Sequence, residues 1–235
     1  MSEAVRSRLQ ALAEEFSLPP GAAAKLLMLL EAVAAAPVSL TSVRDPALAV
    51  DVHVADSLTA LALPELRAAS QIADLGSGGG FPGLPLAIAL QDASVTLIES
   101  VGRKATFLER VFTDLGLHNV KVVARRVEDW REGSTTFDVV CVRAVAPLNT
   151  LVEYAAPLLR PGGVMVAWKG EVPGSETSAA AAAAAIVGIE PMRIVPVPPA
   201  AGAVRRTLHV YRSVGSVPNR FPRRAGMARK RPLGS

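Results

Sequence analysis

Cysteine is almost absent from this 235-residue sequence, which contains only Cys141. A single cysteine excludes a disulfide framework and a cysteine-rich zinc site, and it predicts a reducing, cytoplasmic setting. Histidine is also scarce, because His53, His118 and His209 are the only three and lie far apart, without the carboxylate spacing of a metal site. We therefore expect no bound metal.

Long apolar runs are missing as well. A membrane-spanning helix needs about 20 mostly apolar residues, but residues 75–98 are interrupted by glycine and proline, and the alanine-rich residues 177–189 are too few. The N-terminus carries acidic side chains early and lacks the apolar core of a secretory signal. The sequence thus predicts neither membrane contact nor secretion.

Acidic residues are absent from the last fifth of the chain. Residues 191–235 contain ten arginines and lysines and no aspartate or glutamate, whereas residues 1–190 contain 15 basic and 21 acidic side chains. Such a one-sided distribution indicates a polyanionic partner, and a solubilising tail is the alternative. From residue 215 onward the sequence has no periodicity, which predicts an extended basic tail.

The pattern of the sequence changes near residue 70. Beyond this point, short apolar strands alternate with helices, which indicates a parallel sheet covered on both faces. The last two strands lie close together in sequence and suggest an antiparallel pair. Before residue 70, the predicted helices span residues 2–16, 21–35 and 46–61.

These patterns divide the chain into three predicted parts. An N-terminal helical extension, residues 1–63, packs on an α/β core, residues 64–214, and the basic tail follows as residues 215–235.

The clearest local signal is a glycine-rich loop, IADLGSGGGFPG, over residues 72–83. It joins a strand to the start of a helix, where glycines let the backbone approach a ligand and the helix N-terminus favours a negative group. The next strand ends in Glu99, whose carboxylate can accept both hydroxyls of a ribose. Together these features predict a nucleoside site at the carboxyl edge of the sheet.

Two ligand classes and a ligand-free turn share this pattern. Gly78-x-Gly80-x-x-Gly83 formally matches a dinucleotide fingerprint, which keeps a nicotinamide-dependent oxidoreductase as an alternative. Asp74 favours S-adenosylmethionine instead, because its carboxylate would pair with an ammonium group and repel a pyrophosphate. A glycine-rich turn that binds nothing is the remaining alternative.

The loop sequence DLGSGGGFPGLPLAI does not stand alone. The segments that accompany it are LTSVRDPALAVDVHVADSL, LIESVGRKATFLERV, CVRAVAPL, VAWKG and FPRRAGMARKRPL. Over roughly residues 38–235 the chain resembles the RsmG (GidB) family of small-subunit ribosomal RNA guanine-N7 methyltransferases. It departs from the family at Asp51-Val52-His53, where relatives often have arginine before the histidine. The resemblance implies a Rossmann-like class I S-adenosylmethionine-dependent methyltransferase fold, with a seven-stranded, mostly parallel sheet and N-terminal helices.

The resemblance also implies S-adenosyl-L-methionine as the cofactor. Gly76 and Phe81 would line its methionine end, Val127 and Glu128 would flank its adenine, and Arg143 would complete the pocket. With the acid placed by the ribose argument, the predicted cofactor-binding residues are Gly76, Phe81, Glu99, Val127, Glu128 and Arg143.

The implied reaction is methyl transfer to N7 of a guanine in small-subunit (16S) ribosomal RNA. Guanine N7 has a free lone pair at neutral pH, so alignment of donor and acceptor carries the catalysis and no catalytic residue is assigned. Cys141, the nucleophile that cytosine-C5 methylation would need, lies in an apolar strand and is expected to be buried. A non-catalytic RNA-binding module that retains this fold is a further alternative.

We expect a monomer that binds 16S ribosomal RNA or the 30S ribosomal particle. Arg143 would contact a guanine edge or a phosphate, or form a salt bridge to Asp74 or Glu128. Lys169 would contact RNA or lie solvated at a strand end. Deletion of residues 216–235 is expected to weaken RNA binding and spare cofactor binding. The further predicted phosphate contacts are Arg205, Arg206, Arg223, Arg224, Arg229, Lys230 and Arg231.

Overall fold

A computed structural model describes residues 1–43, 45–197 and 206–234 of the chain. Its centre is a seven-stranded sheet in the order β3-β2-β1-β4-β5-β7-β6. Strands β1 to β5 run parallel, and β7 runs antiparallel to both of its neighbours. This confirms the predicted mostly parallel sheet with an antiparallel pair. The strands are β1 (Gln71–Leu75), β2 (Ser94–Ile98), β3 (Val120–Val123), β4 (Phe137–Arg143), β5 (Leu159–Lys169), β6 (Ile189–Val197) and β7 (Arg206–Ser213).

Helices cover both faces of this sheet. Alternation along each strand sends successive side chains to opposite faces. Ile72 packs with apolar side chains of α1, α2 and α6, whereas Ala73 and Leu75 pack with those of α8 and α9. The α-helices of the described residues are α1 (Glu3–Glu15), α2 (Ala22–Ala34), α3 (Pro46–Ala49), α4 (Asp56–Leu58), α5 (Pro64–Arg67), α6 (Gly83–Ala89), α7 (Gly102–Asp114), α8 (Leu148–Ala155), α9 (Gly174–Ile186) and α10 (Met227–Lys230).

The strand order identifies one edge of the sheet as the place for a ligand. The chain leaves β1 toward β2 and β3 on one side, and β4 and β5 lie on the other side. In α/β sheets, ligands bind beyond the carboxyl ends of the strands where the order reverses in this way. The glycine loop leaves β1 at this edge.

The single helix predicted over residues 46–61 is a broken helical run in the structure. α3 is followed by a π-helical turn (Val50–Ala55), by α4 and by a 3₁₀ turn (Thr59–Ala62). A π turn inserts an extra residue into the helical repeat and often marks a functional site. Here it carries the buried polar side chains Asp51 and His53.

The C-terminal segment, defined here as residues 216–234, also differs from the sequence-based expectation. Phe221 and Ala228 are buried against apolar side chains of α8, and residues 227–230 form α10. The predicted extended conformation is therefore wrong. Isolated apolar residues in a basic sequence give no periodic signal, yet Phe221 and Ala228 are buried in the core.

Within the described ranges, no helix has both the length and the apolar composition needed to cross a membrane. The predicted boundaries at residues 63 and 214 stay predictions.

Candidate functional site

The glycine loop, residues 76–82, connects β1 to α6 and adopts a backbone that requires glycine. Gly76, Gly78 and Gly80 have φ angles of +71°, +55° and +93°, a region in which other residues are strained. A Cβ on Gly80 would lie 2.4 Å from Leu84 Cδ1, and a Cβ on Gly76 would lie 2.7 Å from Val145 Cγ2. Both conformation and packing therefore specify glycine at positions 76 and 80.

A cavity of about 320 Å³ opens beside this loop at the carboxyl edge of the sheet. Small-molecule sites typically measure about 300–1,000 Å³, so the cavity is large enough for a nucleoside. Three predicted cofactor residues, Gly76, Val127 and Glu128, line it together. The other lining residues are Leu75, Ile98, Ser100, Val101, Arg125, Arg126, Val145, Tyr154 and Arg229.

Glu99 follows β2 and ties the glycine loop to the start of α7. Its Oε2 accepts a hydrogen bond from the Gly78 amide at 3.0 Å, and its Oε1 accepts one from the Val101 amide at 2.7 Å. A carboxylate has about four lone-pair sites. Glu99 therefore retains acceptor capacity for a ligand hydroxyl next to the cavity residue Val101.

Glu128 lies in a 3₁₀ turn (Val127–Asp129) that follows β3, and its side chain is buried. Its Oε1 accepts a hydrogen bond at 2.9 Å from the amide of Gly226 in the C-terminal segment. Among the described residues, Oε2 has no hydrogen-bond partner. Glu128 Oε1 thus binds the C-terminal segment, and Oε2 is available to accept a hydrogen bond from a ligand.

Asp74 does not point into this cavity. Strand alternation places its carboxylate on the α6 face, where Oδ2 accepts a hydrogen bond from the Gly83 amide at 3.0 Å. The side chain is 1% exposed. Among the described residues its other oxygen, Oδ1, is buried without a hydrogen-bond partner. The pairing of Asp74 with a ligand ammonium group stays a prediction, and Oδ2 fixes the first turn of α6.

Arg143, at the end of β4, lies in a buried ion-pair network. Its Nη1 donates to Asp56 Oδ2 at 2.8 Å, and Arg206 Nε lies 3.5 Å from the other oxygen of Asp56. Asp56 is 4% exposed, so one buried carboxylate serves two guanidinium groups. The salt-bridge partner of Arg143 is thus Asp56, which follows the π turn, and not the predicted Asp74 or Glu128.

Phe81 is the residue of the glycine loop that contacts this network. The His53 ring stacks on it with centroids 4.8 Å apart, and the Arg143 guanidinium lies 5.7 Å from its centroid. The Nε2 atom of His53 forms a hydrogen bond with Thr41 Oγ1 at 2.7 Å. Phe81 does not line the 320 Å³ cavity, unlike Gly76.

A second cavity, of about 480 Å³, is lined by Leu40, Thr41 and His53 among others. Leu40 Cβ lies 3.4 Å from where a Cβ on Gly79 would be, and the His53 ring stacks on Phe81. Two residues that line this second cavity therefore lie against the glycine loop.

Burial shifts the pKa values of two groups around the loop in opposite directions. Desolvation raises the pKa of the Asp74 carboxyl from 3.8 to about 6, against the hydrogen bond from Gly83. Desolvation, reinforced by the Arg143 charge, lowers the pKa of His53 from 6.5 to about 4. At neutral pH Asp74 is charged and His53 is a neutral imidazole.

These two shifts predict opposite pH dependences of stability. Folded Asp74 keeps a proton that the unfolded chain has lost, so its contribution to the free energy of unfolding falls as the pH rises from about 4 to about 6. Folded His53 lacks a proton that the unfolded chain holds, so its contribution rises over the same interval. Each shift of roughly two units corresponds to about 3 kcal/mol.

Urea unfolding of D74N and H53Q over this interval measures both effects. The free-energy difference, variant minus wild type, is expected to rise with pH for D74N and to fall for H53Q. A difference that does not change with pH for either variant would contradict the stated environment of that residue.

A family model described as GidB, rRNA small subunit methyltransferase G, matches residues 23–201. The chain belongs to this family. The protein named ribosomal RNA small subunit methyltransferase G from Rubrobacter xylanophilus is 45% identical over 196 residues, which cover 81% of this chain and 75% of the relative. Its namesake from Chloroflexus aggregans is 41% identical over 198 residues, covering 83% and 82%. The predicted resemblance is confirmed, and the oxidoreductase alternative is not favoured.

Solved structures support the methyltransferase fold of this family member. A SAM-dependent methyltransferase from Aquifex aeolicus has a TM-score of 0.55 at 17% identity, over 72% of this chain and 94% of its own. Pyrococcus horikoshii TYW2, solved with MeSAdo, has a TM-score of 0.53 at 16% identity, over 68% and 62%. The predicted Rossmann-like methyltransferase fold is confirmed.

In this methyltransferase, four of the nine cations predicted to bind RNA pair with buried or half-buried carboxylates. Arg205 lies outside the described residues. The RNA assignments stay predictions, but the pairs show that these side chains also hold the protein together. The pairs are Arg143 and Arg206 with Asp56, Lys169 with Glu176, and Arg223 with Glu153.

Other cations of the methyltransferase remain exposed. Arg224, Lys230 and Arg231 of the C-terminal segment form no ion pair with described residues. Arg126, which sequence reasoning missed, is also exposed and unpaired among these residues, and it lines the 320 Å³ cavity. Its position directly after β3, on the carboxyl edge of the sheet, was the signal that could have identified it.

Proposed function

We propose that this protein transfers a methyl group from S-adenosyl-L-methionine to N7 of a guanine in 16S ribosomal RNA. The observation that carries the proposal is the cavity beside Gly76, which joins a glycine loop to Glu128 at the switch point of the sheet. It lies in a chain that belongs to a family of small-subunit ribosomal RNA methyltransferases.

The residues around the cavity fit the adenosyl cofactor in polarity and shape. Val127 suits an adenine ring, and Glu128 Oε2, which has no partner among the described residues, suits its amino group; Glu99 has acceptor capacity for ribose hydroxyls. The methionine end would pass Gly76 toward Phe81. A bulkier residue at position 76 would collide with Val145. When bound, the cofactor supplies a methyl group that its sulfonium has already activated.

The acceptor base would then approach from the Phe81 side of the loop. In-line transfer requires the attacking nitrogen opposite the leaving sulfur, and we place the base toward the 480 Å³ cavity lined by Thr41 and His53, whose ring stacks on Phe81. Guanine N7 needs no base to remove a proton, and the site needs mainly to align the two reactants, which contributes about 7–11 kcal/mol in well-oriented cases.

The RNA would be held by the exposed cations around the cavity. Arg224, Lys230 and Arg231 extend from the C-terminal segment, and Arg126 lies at the cavity mouth. Phosphate contacts of this kind position the RNA, while the base is read in the pocket. We propose that the substrate is 16S RNA or the 30S particle, and that a monomer acts on it in the cytoplasm.

Labelled methyl transfer tests this function. Small-subunit particles from cells that lack the enzyme are incubated with the purified protein and methyl-labelled cofactor, and the modified base is mapped by chain cleavage specific for 7-methylguanine. We expect label at a guanine N7. Label at another atom, or RNA binding without transfer, would contradict the proposal and would favour a different or non-catalytic role.

Cys141 offers a check on the class of reaction. The thiol is fully buried in β4, and this burial raises its pKa well above the ordinary value. C141A is therefore expected to retain methyl transfer, and the native thiol is expected to resist aromatic disulfide reagents. Loss of transfer in a folded C141A protein would instead indicate a covalent cysteine mechanism.

A further inference from the structure

The C-terminal segment is fastened to the protein by polar as well as apolar contacts. Asn149 of α8 donates its side-chain amide to the Leu233 carbonyl at 3.0 Å, and the Arg131 guanidinium donates to the Phe221 carbonyl at 3.3 Å. Phe221 is itself buried. The segment is thus bound along its length.

One buried ion pair anchors the middle of the segment. Arg223 donates two parallel hydrogen bonds to the Glu153 carboxylate of α8, from Nε at 2.7 Å and from Nη2 at 2.5 Å. The Glu153 side chain is 1% exposed. Arg223 Nη2 also donates to the Arg231 carbonyl at 2.8 Å, which closes the segment into a loop around the pair.

This anchor sets the position of two residues at the 320 Å³ cavity. Three residues beyond Arg223, the Gly226 amide donates to Glu128 Oε1. Arg229 lines the cavity, and its Nη2 donates to the Val145 carbonyl at 2.9 Å. The segment therefore contributes Arg229 to the lining of the cavity and orients the buried carboxylate of Glu128.

We propose that Glu153 and Arg223 are positioning residues for cofactor binding, because their ion pair holds Gly226 and Arg229 at the wall of the cofactor cavity. The proposal rests on the proposed function, in which this cavity receives the adenosyl group of S-adenosyl-L-methionine. It replaces the expectation that residues 216–235 serve RNA binding alone and that cofactor binding survives their deletion.

Two adjacent arginines provide a matched test. Arg223 is paired and half-buried, whereas Arg224 is exposed and forms no ion pair with described residues. Calorimetric titration with S-adenosylhomocysteine is expected to give a dissociation constant for R223Q about tenfold above that of the wild type, the equivalent of one well-made hydrogen bond. R224Q is expected to bind the ligand as the wild type does and to lower the salt slope of RNA binding by about one.

A measurement on the wild-type chain keeps the test valid if R223Q fails to fold. Trypsin can cut after Arg224, Arg229 and Lys230 when the segment opens. S-adenosylhomocysteine is expected to slow these cuts and to leave cuts after Arg6 and Arg8 of α1 unchanged. R223K, which keeps one of the two hydrogen bonds, is expected to bind the ligand with intermediate affinity.

The outcomes separate this inference from the proposed function. A wild-type protein that fails to bind S-adenosylhomocysteine would overturn the proposed function. A wild-type protein that binds the ligand without protection of the segment, or a folded R223Q protein with wild-type affinity, would overturn the positioning role alone. Weaker binding by R223Q together with ligand-dependent protection would support it.

Discussion

Replacing Gly80 with alanine is expected to abolish cofactor binding and to destabilise the protein by about 2–6 kcal/mol. A φ of +93° strains any residue with a Cβ, at a cost of about 1–3 kcal/mol. The new methyl group would also lie 2.4 Å from Leu84 Cδ1 in the core, which adds an overpacking cost of about 1–3 kcal/mol. Both effects act on the glycine loop, which lines the 320 Å³ cavity at Gly76.

Gly78 is the matched control for this substitution. It also has a positive φ, +55°, but the nearest atom to a Cβ built there is 3.8 Å away. G78A is therefore expected to show the backbone cost and to be spared the packing cost. Chemical denaturation and titration with S-adenosylhomocysteine measure both variants, and equal stability losses for G78A and G80A would contradict the packing described here.

Replacing Arg143 with methionine is expected to lower the free energy of unfolding by about 3–5 kcal/mol, because it leaves the buried carboxylate of Asp56 with only the longer contact to Arg206. The double variant D56N/R143M removes the uncompensated charge as well. It is expected to recover most of the lost stability in the same denaturation experiment. A fully stable R143M protein would contradict a buried ion pair.

The double variant also separates folding from function. If Arg143 contacts the guanine edge or a phosphate as predicted, folded D56N/R143M binds S-adenosylhomocysteine and transfers methyl groups about 10–100-fold more slowly, the effect of losing a charged hydrogen bond. Transfer at the wild-type rate would limit Arg143 to its structural pair with Asp56.

The glycine loop and its surroundings were predictable because their signals are local. A strand that ends in glycines, followed by a strand that ends in Glu99, predicts a nucleoside site from the geometry of the fold alone. The apolar runs likewise predicted buried parallel strands. Val127 and Glu128 came from family resemblance, since a short turn after a strand has no pattern of its own, and the structure places both in the cavity.

The buried charges were not predictable from local patterns. Asp56 and Arg143 are 87 residues apart in sequence, and Glu153 and Arg223 are 70 apart. No periodicity connects such pairs, and a basic composition favoured solvent or RNA as the partner of each arginine. The apparent basic tail thus contains one internal anchor, Arg223, next to the exposed Arg224. Tertiary contact alone distinguishes the two.

We propose that the cavity beside Gly76 holds the methyl donor. A crystal structure of the protein with S-adenosylhomocysteine tests this most directly. We expect the adenine against Val127 and Glu128, the ribose hydroxyls on Glu99, and the sulfur directed past Gly76 toward Phe81. Electron density for the ligand in the cavity at Thr41 and His53, or no density beside Gly76 at saturating ligand, would contradict the claim.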